Sequence, residues 1–508
     1  MLSFIDLNRF MQYIDFSKVQ QLFLYDPSDQ LYFSTSFFLF FFFALLLFYR
    51  IFSKSKNLKI YTIIFFSLFF YYKNSGYFFL LLFASTFINF YFGSWIYKAK
   101  TGGMKKLLFI SVLVIDLGLL IYFKYTNFFI QIINGFTSGN IQLLNLLLPV
   151  GISFYTFKAM SYVIEIFIET MEPTNNLRDF VLYMYFFPNI LAGPIDRAVA
   201  FLPQIEGEMM PSKEDMGRAV FLIMSGLFKK AVIADYIGLN FVDRVFQVPL
   251  RFTGVENLLA SYAYTIQIYC DFSGYTDMAL GIASLLGFKL MDNFNIPFLA
   301  TSIADYWRRW HISLSTWLLD YLFKPMQMSF RRMRIYGSAL AIFITFLLVG
   351  FWHGASWTFV VFGLFHSTYL AVSLLTQKFR KAFWDKLHLT GTKTLKVFQI
   401  LITFHLVLIT AIIFRSDSLA TAQNVFHQIF KYFHGAVFFQ WITGYTQVFV
   451  FILIGYVLHF IPKSVDNKVK NIITASPVYV QALLLALMIL VVVQVESAQL
   501  QPVIYFNF

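Results

Sequence analysis

Cysteine is almost absent: Cys270 stands alone in 508 residues, which excludes an intrachain disulfide, a thiolate metal cluster and a paired redox motif. Charge is scarce as well. Asp, Glu, Lys and Arg make up 13% of the chain, about half the share usual in soluble domains. No glycine-rich phosphate loop, GxSxG elbow or HExxH zinc helix occurs. The first thirty residues carry Asp6, Asp15, Asp26 and Asp29 and lack a basic stretch ahead of an apolar core, so no cleaved signal peptide is expected. What the chain does have is apolar surface: 59% hydrophobic residues, 21% aromatic and a mean hydropathy of +0.67. Such a composition belongs in a bilayer and accommodates roughly ten to thirteen crossings in one membrane domain. The formal charge of +13 would suggest nucleic acid in a soluble protein. Here Lys and Arg fall in short runs between apolar segments, the pattern of cytoplasmic loops, and no nucleic-acid partner is expected.

Those runs orient the chain. Arg50, Lys54, Lys56 and Lys59 form one basic loop and Lys98, Lys100, Lys105 and Lys106 another, with apolar runs at about 58–72 and 76–92 between them. Both loops can be cytoplasmic, which puts the N-terminus outside. Arg331, Arg332 and Arg334, then Lys378, Arg380 and Lys381, bracket a second pair of runs at 336–352 and 356–376. Continuing through 394–414, 446–461 and 477–496 leaves the C-terminus extracytoplasmic too. Residues 1–33 mix apolar and charged positions and read as an interfacial segment. Between 125 and 330, Pro149, Pro188, Pro194 and Pro297 interrupt apolar stretches, so broken or re-entrant helices are expected.

The densest polar stretch, 296–325, holds Asp305, Arg308, Arg309, His311, Ser313, Ser315 and Asp320 beside three tryptophans. Helical spacing places Trp307, Trp310 and Leu314 near one face and makes Asp305 and Arg309 an i,i+4 pair. A re-entrant helix near the cytoplasmic surface fits; an interfacial helix with a Trp belt is the plainer alternative. His353, in LLVGFWHGASW, ends one run just before the next begins, inside a membrane hairpin. An imidazole there is costly without a partner, and intramembrane ionisable residues favour function. A neutral His can take a proton from an attacking hydroxyl, and Gly354 would let a substrate approach closely. Asp271 and Asp277 lie six apart in an apolar segment, off a common helical face, which suits hydrogen bonding between helices better than paired acid/base work. His366, His388, His405, His427, His434 and His459 show no metal-ligand spacing and read as packing or surface residues. The tail, residues 501–508, ends in three aromatics: an interfacial anchor, or a segment inserted into a protein groove. Tyr505 within it is a phenol, and an aryl ester has a better leaving group than an alkyl ester.

Together these segments resemble the membrane-bound O-acyltransferase family, in particular its bacterial branch of alginate and peptidoglycan O-acetyltransferase membrane subunits and the D-alanyl transfer protein of teichoic acids. The stretches are PVGISFYTFKAMSYVIEIF from Pro149, FPNILAGPIDR from Phe187, GLFKKAVIAD from Gly226, YCDFSGYTDMALG from Tyr269, DYWRRWHISLSTW from Asp305 and GFWHGASWTFVVFGLFH from Gly350. The resemblance implies an all-α polytopic ring of roughly 11–13 transmembrane helices over 34–500, with re-entrant elements and funnels from both sides. It implies His353 as the catalytic histidine, His311 as the second characteristic one, and Tyr505 as candidate acyl acceptor. The tail pattern FxYFxF is matched at Tyr505, Phe506 and Phe508, whereas Val503 replaces the first Phe. Acetyl-CoA or another acyl thioester would be the donor substrate, with Arg308, Arg309, Trp310 and Ser313 on its side of the site, and no metal or tightly bound cofactor. The implied setting is the bacterial inner membrane, with an extracytoplasmic SGNH-type transferase as partner and a polysaccharide as acceptor. An ion-coupled transporter or flippase of an envelope precursor is the competing class, since broken helices and buried carboxylates mark carriers too.

Overall fold

The computed structural model describes residues 21–27, 30–137, 139–495 and 502–504. The interfacial segment expected at the N-terminus lies largely outside the described residues, as does Tyr505. Among the described residues the protein is helical throughout and contains no β-strand, only an isolated antiparallel bridge between Phe294 and Trp310. The principal helices are α1 (Ser36–Ile51), α2 (Lys56–Ser75), α3 (Phe79–Lys98), α4 (Gly102–Thr137), α5 (Ile152–Phe167), α6 (Lys213–Leu227) and α7 (Gly254–Leu285). After them come α8 (Ile312–Leu318), α9 (Arg334–His353), α10 (Trp357–Leu375), α11 (Lys393–Arg415), α12 (Thr446–Phe460) and α13 (Val478–Val495).

Six stretches among the described residues are long and apolar enough to cross a membrane. One of them, Lys56–Lys98, is a hairpin. Its two ends meet the same connection, where Arg178 donates to Asn57 (2.5 Å) and the Tyr97 hydroxyl to Glu172 (3.1 Å). The chain reverses at Gly76, whose φ of +55° only glycine adopts freely. Each arm has 20 residues, about 30 Å of helix and enough to span the hydrocarbon core. The expected eleven to thirteen helices exceed these six, and the further apolar helices among the described residues are short or bent. Helix α1 has 16 residues, and α12 meets the preceding Val437–Gly444 helix at 92°.

The broken region expected between 125 and 330 is present. Short helices at Leu177–Tyr185, Ala198–Glu206 and Ile303–Trp307 alternate with π-helical turns at Phe228–Ala234, Gly238–Val242 and Leu319–Phe323. At its centre α7 is buried along most of its 32 residues. It crosses α6 where Gly226 meets Gly274: a Cβ on Gly274 would lie 2.8 Å from the Gly226 carbonyl oxygen. Two glycines therefore let two backbones touch, and α7 runs through Gly274 unbroken. By contrast α13 fully buries only Gln481 and Val492, packs Leu485, Met488 and Ile489 partly against the core, and exposes Leu483, Leu487 and Leu490, as a helix with a lipid-facing side does. Leu31 and Phe33, ahead of α1, are buried in the core, with Phe33 stacked on Tyr275 at 4.8 Å.

Candidate active site

His311 is placed by a local backbone device. The segment Asn293–Asn295 pairs with Arg309–Ile312 through Asn295 N–H to Arg309 C=O (2.9 Å) and Ile312 N–H to Asn293 C=O (3.0 Å). Asn293 Oδ1 also accepts the Ser313 hydroxyl (2.6 Å) and backbone N–H (3.1 Å). Between these ties His311 adopts φ +47° and ψ +55°, left-handed values, and acts as the N-cap of α8. The single re-entrant helix expected here is thus two short helices broken at the histidine. Left-handed non-glycine residues cost roughly 1–3 kcal/mol and persist where the surroundings over-determine them. The imidazole is fully buried, edge-on to Phe272 (centroids 4.8 Å apart) and 5.8 Å from Trp352.

His353 is the last residue of α9, and its ring lies 5.1 Å from Trp352 and 5.1 Å from Phe414. One indole thus stands against both histidines. The end of α9 is held from α4, where Lys124 Nζ donates to the Trp352 carbonyl (2.5 Å) and the Tyr125 hydroxyl to the Phe351 carbonyl (2.6 Å). A cation on the last carbonyls of a helix satisfies acceptors that have no intrahelical donor and complements the helix dipole. Gly354 does not open a path for substrate: a Cβ there would sit 2.2 Å from the Phe359 ring, so the glycine makes room for that phenylalanine.

A narrow cavity of about 40 Å³ reaches His353 and is walled by Trp307, Trp310, His366, Thr410 and Phe414. His366, read as a packing residue, therefore shares the wall of the same cavity. Trp307 Nε1–H donates to His366 Nδ1 (3.2 Å), and His366 Nε2 lies 3.1 Å from Thr410 Oγ1. An indole N–H can only donate, so Nδ1 accepts and the ring proton sits on Nε2. Thr410 then receives that proton's hydrogen bond and donates its own to the Val407 carbonyl (2.8 Å). With both nitrogens engaged in this way, His366 is a fixed positioning group for Trp307.

A second chamber, of about 690 Å³, runs from Lys463 and Asp466 to Ile312, the residue after His311. Phe294 lines it, Trp310 lines the narrow cavity, and the two rings lie 5.1 Å apart. This pair is the wall between them. His459 also faces the chamber; its Nε2 accepts the Phe298 N–H (3.2 Å), which leaves the proton on Nδ1, without a hydrogen-bond partner among the described residues.

Four residues were expected on the donor side, and none of them lines this chamber. Arg308 is exposed, and Arg309 pairs with Asp305 (3.0 Å) as the i,i+4 spacing required. Trp310 belongs to the His353 cavity, and Ser313 is tied to Asn293 and to the Ile195 N–H (3.0 Å). Asp305 caps its own turn by accepting the Thr301 N–H (3.1 Å).

Asp271 and Asp277 of α7 both face lysines of the π-helical turn 228–234. Asp277 pairs with Lys229 (2.6 Å) and Asp271 with Lys230 (2.7 Å), which also reaches Asp235 (2.7 Å). Hydrogen bonding between helices is thus their use, and six-residue spacing on α7 suits two consecutive lysines on a widened turn. Asp271 has a further partner, the backbone N–H of Ile504 in the tail (2.9 Å). Val503 beside it is buried.

The profile of the membrane-bound O-acyltransferase family matches residues 172–413. A protein named a probable alginate O-acetylase, from Azotobacter vinelandii, is 36% identical over 358 residues, 69% of this chain and 68% of the relative. The chain belongs to the membrane-bound O-acyltransferase family. A peptidoglycan O-acetyltransferase of Helicobacter pylori is 32% identical over 68% of each chain, and a teichoic acid D-alanyltransferase of Bacillus subtilis 30% identical over 52% of this chain and 67% of its own. The protein is therefore a membrane acyltransferase. Both histidines, His366 and the Lys230–Asp271 pair fall inside the matched residues of this acyltransferase, whereas Lys124 and Tyr125 precede them.

Two of the groups missed in the sequence left a signal there. Lys124 is a lysine directly after an apolar run, and such a residue calls for a named partner. His366 lies on the return arm of the His353 hairpin, within helical reach of the same face. His459 left none, because its partner is a backbone amide 161 residues away.

Proposed function

We propose that this acyltransferase moves an acetyl group from cytoplasmic acetyl-CoA to the phenol of Tyr505, and that an extracytoplasmic SGNH-type partner passes it on to hydroxyls of an envelope polysaccharide. Peptidoglycan or an exopolysaccharide is the acceptor, in keeping with the relatives named for alginate and peptidoglycan. The observation that carries the reading is the single aromatic box in which Trp352 stands against both His311 and His353. The 690 Å³ chamber ending beside His311 supplies space for the donor's thioester arm. Ile504, the residue before Tyr505, is bonded to Asp271, whose chain neighbour Phe272 packs on His311.

In the first step His353 takes the phenolic proton as the oxygen attacks the thioester carbonyl. The C–S bond breaks, the thiolate recovers the proton from the imidazolium, and an aryl acetate and free thiol result. In the second, a partner hydroxyl attacks the aryl ester and the phenol is released with its proton. His311 orients the donor. The protein resides in the bacterial inner membrane with both termini outside, residues 34–500 forming the membrane domain and 501–508 the acceptor tail.

Transfer of labelled acetyl in proteoliposomes tests the scheme. Loss of transfer is expected for His353→Ala and Tyr505→Phe, with label on the tail of trapped wild-type enzyme. Full activity in His353→Ala would refute the central step, and normal transfer in Tyr505→Phe would refute the acceptor.

A further inference from the structure

The Lys230–Asp271 pair holds more than two helices together. Asp271 lies midway along α7, and both carboxylate oxygens are engaged by different elements: Oδ1 takes Lys230 Nζ (2.7 Å) and Oδ2 takes the Ile504 N–H (2.9 Å). Lys230 in turn reaches the Pro502 carbonyl (3.4 Å). Both side chains are 2% exposed, as is Val503. A buried ion pair is expensive to desolvate, and a single shared carboxylate that also binds tail backbone is a dedicated arrangement. Main-chain contacts of this kind read register, because they fix one residue of the tail irrespective of its side chain.

We propose that Asp271 is a positioning residue for acyl transfer, a register lock that seats the C-terminal tail against the core. Ile504 opens a 3-10 turn, and a one-residue slip there moves everything beyond it by about 2 Å. Reacting groups tolerate less, since a misplacement of about 1 Å can cost roughly a hundredfold in rate. The seating stands on the contacts above; its effect on transfer rests on the reading of Tyr505 as acceptor.

The test uses the full-length enzyme in detergent or proteoliposomes and two variants that break the contact from opposite sides. Asp271→Ala removes the acceptor. Ile504→Pro removes the N–H and leaves the Lys230–Asp271 ion pair intact. Tail seating is measured as protection from carboxypeptidase, followed by intact mass, beside kcat, donor KM and the unfolding temperature. Both variants should be trimmed about tenfold faster and lose about tenfold or more in kcat with donor KM unchanged; Asp271→Asn, which keeps an acceptor oxygen, should recover part of both. Wild-type protection and turnover in Ile504→Pro would overturn the proposal and leave Asp271 as a structural ion pair. Tyr505→Phe separates the two claims. Its tail should stay protected while transfer is lost, and normal transfer in that variant would overturn the transfer half together with the acceptor reading.

Discussion

The His353 ring, to which we assign the proton transfer, has aromatic neighbours. General-base catalysis is worth roughly 10²–10⁴-fold, so His353→Gln should lower kcat/KM for acetyl transfer by that order while the protein still folds. His459 belongs to a different part of the reaction. His459 lines the chamber we assign to the donor, so His459→Phe should raise donor KM by up to about tenfold, with kcat little changed. Steady-state kinetics with varied donor separates the two residues: a change confined to kcat in the His459 variant would remove it from donor binding.

Helix α9 delivers His353, and its last carbonyls depend on Lys124 and Tyr125 from a helix more than 220 residues earlier. Lys124→Met keeps the apolar stem and deletes the donor. Leaving a buried acceptor unpaired costs about 1–3 kcal/mol, so this variant should unfold at lower temperature and transfer acetyl more slowly, whereas Tyr125→Phe should show a weaker form of the same effect. Equal behaviour of Lys124→Met and wild type in both measurements would show that α9 holds its end without the cap. A second element-scale prediction concerns α6, whose first turn is closed by a reciprocal box between Ser212 and Asp215. The hydrogen bond from Ser212 holds the Asp215 carboxyl below its ordinary value of 3.8. A carboxyl depressed in the folded state stabilises it fully above that ordinary value and ceases to do so as pH falls through the lower folded one. The stability advantage of wild type over Asp215→Asn should therefore be present at neutral pH and shrink below about pH 4.

For the whole molecule the test is sidedness. Cys270 is buried, and a Cys270→Ser background makes single introduced thiols readable. In intact cells an impermeant maleimide should label Gly435→Cys and spare Ser464→Cys, because Ser464 lies in the basic run Lys463–Lys470 and positive loops stay cytoplasmic. The reverse pattern would invert the orientation and place the 690 Å³ chamber on the side without cytoplasmic thioester. The two cavities are separated by the Phe294–Trp310 pair, one reaching His353 and the other ending beside His311.

Membrane residence, the basic loops, the two histidine motifs and the Asp305–Arg309 pair were all legible in the sequence, since each rests on composition or on residues close together in the chain. The break at His311 was not, because it comes from pairing with Asn293–Asn295, and no local propensity forces a histidine into the left-handed region. Donor-side assignments to Arg308, Arg309 and Ser313 followed charge and motif, yet these side chains point to solvent, to Asp305 and to Asn293. Sequence alone determined that this protein is an acyltransferase of the membrane with a costly imidazole at the end of a helix. Tertiary structure alone decided which groups surround that imidazole, because Lys124, Trp307, His366 and Phe414 come from segments far apart in the chain. Their contacts exist only once the backbone has closed around α7.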